Sequence, residues 1–552
     1  MEASFDLVDE EWIPVVDGGR SRDVSLRYAL TRGHEVDGLA LGHPLEMVAV
    51  LRQVLLPVYL HACGSPVDDR EWGRRWKAGC LDPDGVLDRY LDGHRDRFDL
   101  FGGRPFAQVA GLRTGKDETK PVSLLLAAAA TGNNVPLFAS RTEADPPTLA
   151  CAQAARAVLA AQCWDTAAIK SGAAGDPQVK SGKTTGNPTG PVGGLGVVVP
   201  AGRNVFETIL LNTLILPQPQ DGDRPQWAAG EADSGVNDPW PGGPRWARRP
   251  VKGILDLLTW QSRRIRLIPE AVDGVTVVRR VVITAGDRID RLPEYEPHTA
   301  WRRVDKPKAG EPPNRPIRHV SGRAAWRGME PLLATRLDAG ASVTSSELLR
   351  QLNVLRARRV VARNMPVQVV TVGVEYGNQS AVIEDVIADR IALPVAALDP
   401  EGPARKLLMD VVAEAEALRN AGNRLGDDLR QAVGADKLPW DKGQRIGDAL
   451  IIQFTPLVSR ILQDLQRDPE DVDRVHLRWR TDALRLAFDA AEPALASVPP
   501  TAFRGRARKD KASDGARRDG GPVNASAAEA WFRGSVRKIL NLEREPTMTG
   551  AA

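Results

Sequence analysis

Asn378 and Gln379 stand side by side in "YGNQSAVIED", directly after the β-branched run "VQVVTVGVE". Two adjacent side-chain amides on a turn offer both donors and acceptors, a polar wedge that can be presented to a ligand. A second group lies in "IKSGAAGDPQVKSGKTTGNPTGPVGGLG", Ile169 to Gly196, where Lys170, Lys180 and Lys183 face one acid, Asp176, among many glycines. Ammonium groups and uncovered backbone N–H groups suit a phosphate-bearing ligand. From Arg245 to Glu330 basic residues outnumber acidic ones by roughly two to one, in clusters such as "RWARRPVK", "QSRRIR", "VVRRVV" and "RPIRHVSGR". A further basic run, Arg504 to Asp519, has the composition of a solvated loop.

Other chemistries find little support. "SGKTTG" ends like a phosphate-binding loop, but the position that must be glycine for the turn is Pro177, and no apolar strand leads into it. The 7 histidines are far apart, and the 4 cysteines, Cys63, Cys80, Cys151 and Cys163, lack C-x-x-C spacing, so neither a metal site nor a disulfide framework is expected. No cofactor motif is present in the sequence.

The elements that must position these groups follow from periodicity. Val367 to Val374 reads as a strand, and Ala381 to Ile387, with Glu384 and Asp385 at its start, reads as the first turns of a helix. The amide pair then sits at a strand-to-helix joint, where it either faces a ligand or only completes a turn, with Asn378 left-handed after Gly377 and Ser380 capping the helix. Leu45 to Leu60 has the spacing of a buried helix, and Pro147 to Trp164 that of another. From about Pro403 onward, four long stretches of helical spacing predict a C-terminal four-helix bundle.

The expected fold class is therefore α+β: a mixed α/β N-terminal globular domain over 1–395, carrying the reading loops, then the bundle over 396–552. At 552 residues, two or more domains are expected. No stretch of about 18 uninterrupted apolar residues suggests a membrane span, and the first residues lack the pattern of a signal peptide, so a cytoplasmic protein without a membrane partner is expected. The net charge of +3 excludes a global polycation and confines any nucleic-acid footprint to local patches.

Taken in order, "LVDEEWIPV", "RPFAQVAG", "TGNNVPLFAS", the lysine- and glycine-rich loop, "TILLNTLILP" and "YGNQSAVIED", followed by the terminal helices, resemble the large subunit (CasA type) of the type I-E CRISPR surveillance complex, Cascade. The resemblance spans nearly the whole chain. It implies a non-catalytic subunit of antiviral defence whose partners are guide RNA, other Cascade subunits, double-stranded target DNA and a recruited helicase-nuclease. It further implies that a glycine loop, a lysine finger and a glutamine wedge inspect the protospacer-adjacent motif (PAM) from the minor-groove side and begin R-loop formation. Carried over, the wedge is Gln379 with Asn378 beside it, and the glycine loop falls within Gly172, Ala173, Ala174, Gly175 and Asp176. For the lysine finger the chain offers Arg279, Arg280, Arg288 and Arg291, with Arg288 favoured; the four-cysteine zinc site of some relatives is absent. Asn134, Leu137 and Phe138 in "TGNNVPLF" resemble the loop that docks on the 5′ handle of the guide RNA, close to the motif. The alternative is a free-standing nucleic-acid-processing enzyme, such as a metal-dependent nuclease whose carboxylates are gathered by folding.

Overall fold

The structure is a computed structural model that describes residues 3–40, 42–127, 129, 147–218, 221–228, 246–308, 310–335, 341–439, 443, 445–506 and 524–542. Asn134, Leu137 and Phe138, and most of the basic run after Arg504, lie outside these. The chain divides into two compact units: Met1–Ala325 with Pro331–Ala362 and Pro366–Arg390, and Ile391–Ala552 with two short returning segments, Trp326–Glu330 and Arg363–Met365.

The first unit mixes helices and small sheets. Near its start β1 (Ile13–Asp17) and β2 (Arg20–Val24) form a hairpin, and β3 (Gly38–Leu39) pairs with the other edge of β1. Helix α1 (Pro44–Cys63) is long and apolar enough to cross a membrane by length and composition alone, yet most of it is buried in the protein. Its middle, Leu51–Leu55, is a π turn, and this extra residue in the turn brings both Arg52 and Gln53 into the core. Helix α2 (Cys151–Trp164) is alanine-rich and almost wholly buried, and Trp164 donates its indole N–H to Leu45 O at 3.0 Å.

After α2 the chain forms a narrow ribbon of β4 (Lys170–Ser171) and β5 (Lys183–Thr184), then β6 (Val197–Ala201). Strand β7 (Arg248–Arg249) precedes the long hairpin of β8 (Arg263–Val272) and β9 (Val275–Ala285), whose two-residue turn places Asp273 and Gly274 at positive φ, the conformation that Asp-Gly favours. β4 joins this sheet through a parallel pairing of Ser171 with Thr284. Strand β10 (Arg288–Ile289) pairs in parallel with β7. The last sheet runs β12 (Ile383–Pro394), β11 (Pro366–Tyr376), β6, and the central strand β11 buries Val367, Val369, Val370 and Val372.

β12 replaces the helix expected from Ala381. Ile383, Val386 and Ile387 fit helical spacing, but β-branched side chains lose rotamer freedom in a helix, and a free edge of β11 was available for them to pair with.

Among the described residues the second unit is helical, with five helices where four stretches were expected. They are α3 (Pro403–Ala432), α4 (Ile446–Gln453), α5 (Thr455–Arg467), α6 (Val472–Ala496) and α7 (Ala525–Ile539). The single stretch read around "IIQFTPLV" breaks at Phe454, because Pro456 has no N–H for a continuous helix and fits only the first turn of a new one. Leu407, Leu408, Val411, Ala415, Leu418 and Leu425 line the buried face of α3. The α3–α4 crossing is close: a Cβ on Gly447 would lie 1.9 Å from Arg419 O. Trp479 packs edge-on to Phe454 at 5.2 Å and donates its indole N–H to Glu414 at 2.7 Å.

Candidate nucleic-acid interface

Asn378, Gln379 and Ser380 form a single 3-10 turn at the tip of the β11–β12 hairpin, so the amides sit between two strands. Ala381 N–H donates to Asn378 O at 3.1 Å, and the two residues enclosed, Gln379 and Ser380, both have φ of 54°. The left-handed residue expected at Asn378 is thus displaced by one. Two consecutive side-chain-bearing residues in this region cost energy, and surrounding contacts hold them there. Those contacts are Gly377 N–H to Val382 O at 3.1 Å, Ser380 N–H to Gly377 O at 2.9 Å and Ala167 N–H to Ser380 O at 2.8 Å. Asn378 and Gln379 are exposed, and neither side-chain amide has a hydrogen-bond partner among the described residues.

The base of the hairpin is anchored by Tyr376, whose buried hydroxyl donates to Trp164 O at the end of α2 at 2.6 Å; burial pushes the phenol well above its ordinary range. The next residue, Asp165, opens the segment leading to the glycine-rich ribbon. Its carboxylate binds Lys170 Nζ at 2.7 Å and the buried Arg263 guanidinium. Burial raises the Asp165 carboxyl, but the charges of Lys170 and Arg263 more than reverse this and hold it below the usual range. Arg263 also donates to Thr166 O at 2.9 Å and Pro188 O at 2.7 Å, fastening both ends of the ribbon.

Lys170 is therefore turned inward, with a side chain only 10% exposed, and is corrected from a surface cation to one half of a buried clamp. Burial first, then Arg263, draws its ammonium below its ordinary pKa. Lys180 and Lys183 are exposed and flank the tight turn at Ser181 and Gly182, exchanging backbone hydrogen bonds at 3.0 Å in each direction. Gly172 and Ala173 also face inward. A Cβ on Gly172 would lie 2.4 Å from the Val179 side chain, and Ala173 packs with Val109, Leu112 and Val282. Ala174 is held by its N–H to Arg113 O at 2.8 Å, and Gly175, with φ of 79°, is exposed.

Arg288 lies beneath the ribbon. Its guanidinium stacks on Trp246 at 3.6 Å from the ring centre and donates to Thr185 O at 3.1 Å and Asn187 Oδ1 at 3.2 Å. Asn187 in turn donates to Ala168 O at 3.2 Å and Thr184 O at 3.0 Å. Burial, with Arg248 and Arg263 nearby, lowers the Arg288 pKa. This places Arg288 as a brace of the ribbon, with a guanidinium already occupied on one face. Arg279 and Arg280 are engaged with Thr148 and Thr119, Arg291 is exposed near Glu294, and Arg264 is fully buried, so the cluster "QSRRIR" serves the interior more than the surface.

Folding thus hydrogen-bonds the tip that bears Gln379 to the root of the ribbon, leaves Lys180, Lys183 and Gly175 exposed and sets Arg288 against the ribbon, and turns Lys170, Gly172 and Ala173 inward. Sequence reasoning missed Asp165 and Arg263. The available signal was a pair of arginines beginning a strand that continues with Ile265, Leu267 and Ile268, where a buried arginine demands a counter-charge. Among the described residues no group of three or more His, Cys, Asp or Glu is placed to hold a metal ion.

Residues 6–490 match the family model of the CRISPR-associated protein Cse1. The chain is similar to the CRISPR-associated protein CasA/Cse1 of Thermus thermophilus, 37% identical over 280 residues, which cover 49% of this chain and 50% of that relative. Its fold is similar to Thermobifida fusca Cse1, with a TM-score of 0.81 and 28% identity over 98% of this chain and 99% of that one. A chain of a CRISPR RNA-guided surveillance complex shares the fold, with a TM-score of 0.65 and 20% identity over 97% of this chain and 99% of its own.

Proposed function

This chain belongs to the CRISPR-associated Cse1 family, the CasA-type large subunits of Cascade, and we propose that it reads the PAM of double-stranded target DNA from the minor groove and starts duplex opening. The observation that carries this reading is the exposed, unpartnered amide pair on a strained hairpin tip hydrogen-bonded to the root of a lysine-bearing ribbon. Minor-groove edges present a degenerate pattern, so a few donors and cations tolerate several related motifs. Gln379 is the wedge: pushed into the stack beside the motif, its amide replaces hydrogen bonds of the first opened pair. Unstacking costs a few kcal/mol per step and is offset by protein contacts and then by guide pairing. Lys180 and Lys183 hold phosphates, the exposed Gly175 offers its backbone beside Ala174, and Arg288 keeps the ribbon in place. The helical second unit docks neighbouring subunits and the recruited helicase-nuclease, while guide RNA is bound by the complex as a whole. The role is recognition without catalysis.

Gln379→Ala should leave folding and complex assembly intact but impair opening of the first target base pairs. The defect should shrink on a duplex with mismatches already placed beside the motif, because that separation has been achieved beforehand. A fluorescent base analogue on paired and pre-opened duplexes measures both. Equal losses on the two substrates would refute the wedge and leave the amide pair as an ordinary turn.

A further inference from the structure

We infer that Ile169 is a second, apolar element of the same interface, inserting against the nucleotide unstacked beside Gln379; this rests on the duplex-opening reading above. Ile169 is 60% exposed and is one of few large apolar side chains among the described residues left in solvent. Its position follows from the ribbon register. Lys170 pairs with Thr184 and Ser171 with Lys183, and side chains alternate along each strand. Lys170 and Thr184 occupy the inner face, at the buried clamp. Ile169, Ser171, Lys183 and Thr185 therefore share the outer face, and Lys183 and Thr185 are exposed there. The inward turn of Lys170 is what forces Ile169 outward.

The same residue is close to the tip. Ala167, whose N–H binds Ser380 O, is two residues away, a span of at most about 7 Å along an extended chain. An aliphatic group and the exposed Lys183 ammonium thus share one face of a ribbon whose root is hydrogen-bonded to the tip that carries the exposed amide. Neither Lys180 nor Lys183 forms an ion pair with a carboxylate among the described residues, so this surface favours a polyanion with apolar parts. Opened DNA has that chemistry: phosphates for the lysines, a base edge for Gln379 and a base face or sugar for Ile169. Apolar side chains are commonly wedged into steps approached from the minor groove.

The test compares Ile169→Ala with Gln379→Ala in the assembled complex, measuring duplex affinity across a salt series, base opening, and assembly. Ile169→Ala should weaken binding and opening by about tenfold, the scale of losing partial burial of one aliphatic side chain. Its salt slope should stay that of the parent, because no phosphate contact is lost. Ile169→Leu should retain most activity, and the melting temperatures of both variants should equal the parent's. If Ile169→Ala is silent while Gln379→Ala is impaired, the inference is overturned and the opening role stands. If both are silent, the opening role itself fails and this inference with it. Loss of assembly in Ile169→Ala would overturn the inference by making Ile169 a subunit contact.

Discussion

Lys170 and Lys183 carry the same charge in one short ribbon, yet their surroundings assign them different work. Lys183 is exposed, so Lys183→Ala should lower the salt slope of DNA binding by about one unit and leave stability unchanged. Lys170→Ala removes a cation from a buried carboxylate. With Arg263 still paired to Asp165, a loss of about 1–3 kcal/mol of stability is expected, with no direct change in slope. Thermal melts and salt titrations of the two variants separate these outcomes, and a slope change in Lys170→Ala matching that of Lys183→Ala would show that the clamp opens on DNA. Residue type and spacing made the lysine group visible, but charge alone does not tell which ammonium points inward. That depended on Asp165, outside the glycine-rich pattern, and on Arg263, distant in sequence. The turn position of Gln379 was legible, because a polar pair following a strand falls in a turn by local rules, whereas the hairpin that carries it and the contact from Ala167 that holds it depended on distant pairing.

At the scale of elements, β11 was legible from its Val and Thr, whereas β12 was not, because its apolar positions suit either period and only pairing with β11 decides. The π turn of α1 was illegible for a similar reason. It delivers Arg52 to a buried network of residues distant in sequence, where Arg52 donates from its two terminal nitrogens to Glu296 at 2.6 and 2.9 Å, with His298 Nδ1 accepting at 2.6 Å. His298 Nε2–H donates to Asn212 at 3.1 Å. Burial, then the Arg52 charge, lowers the His298 pKa from 6.5 to about 4. Between these values the unfolded chain binds a proton that the folded chain does not, so stability should fall as pH drops from about 6.5 towards 4. The slope from this residue approaches about 1.4 kcal/mol per pH unit. Below that, Glu296 adds to the loss: burial raises its carboxyl, but Arg52 and His298 more than reverse this and hold it below the usual range. His298→Gln should flatten the upper part of the melting-temperature profile, and an unchanged profile would mean that other groups govern acid sensitivity.

For the whole molecule, helical spacing after Pro403 was readable over many turns, while the extent of the second unit was not, since two of its segments return from far upstream. A boundary at 396 would sever Ile391–Pro394 and Val395, and Leu393 and Val395 are fully buried. Gln466 also donates to Leu393 O at 3.2 Å. Even a fragment beginning at Ile391 lacks Trp326 and Met329, each 1% exposed, and Met365. Trp326 donates its indole N–H to Thr455 Oγ1 at 3.2 Å, at the start of α5, so its loss leaves both a cavity and an unpaired hydroxyl at a helix start. Residues 391–552 should therefore be helical by circular dichroism yet melt well below the corresponding transition of the intact chain. Trp326→Ala in the full chain should reproduce much of the difference, at about 3–5 kcal/mol for a buried tryptophan. If the fragment melts with the intact chain, the returning segments contribute nothing, and the unit is set by its C-terminal helices alone. If Trp326→Ala also weakens assembly while leaving DNA opening by the assembled fraction unchanged, subunit docking depends on the integrity of this second unit and reading on the first.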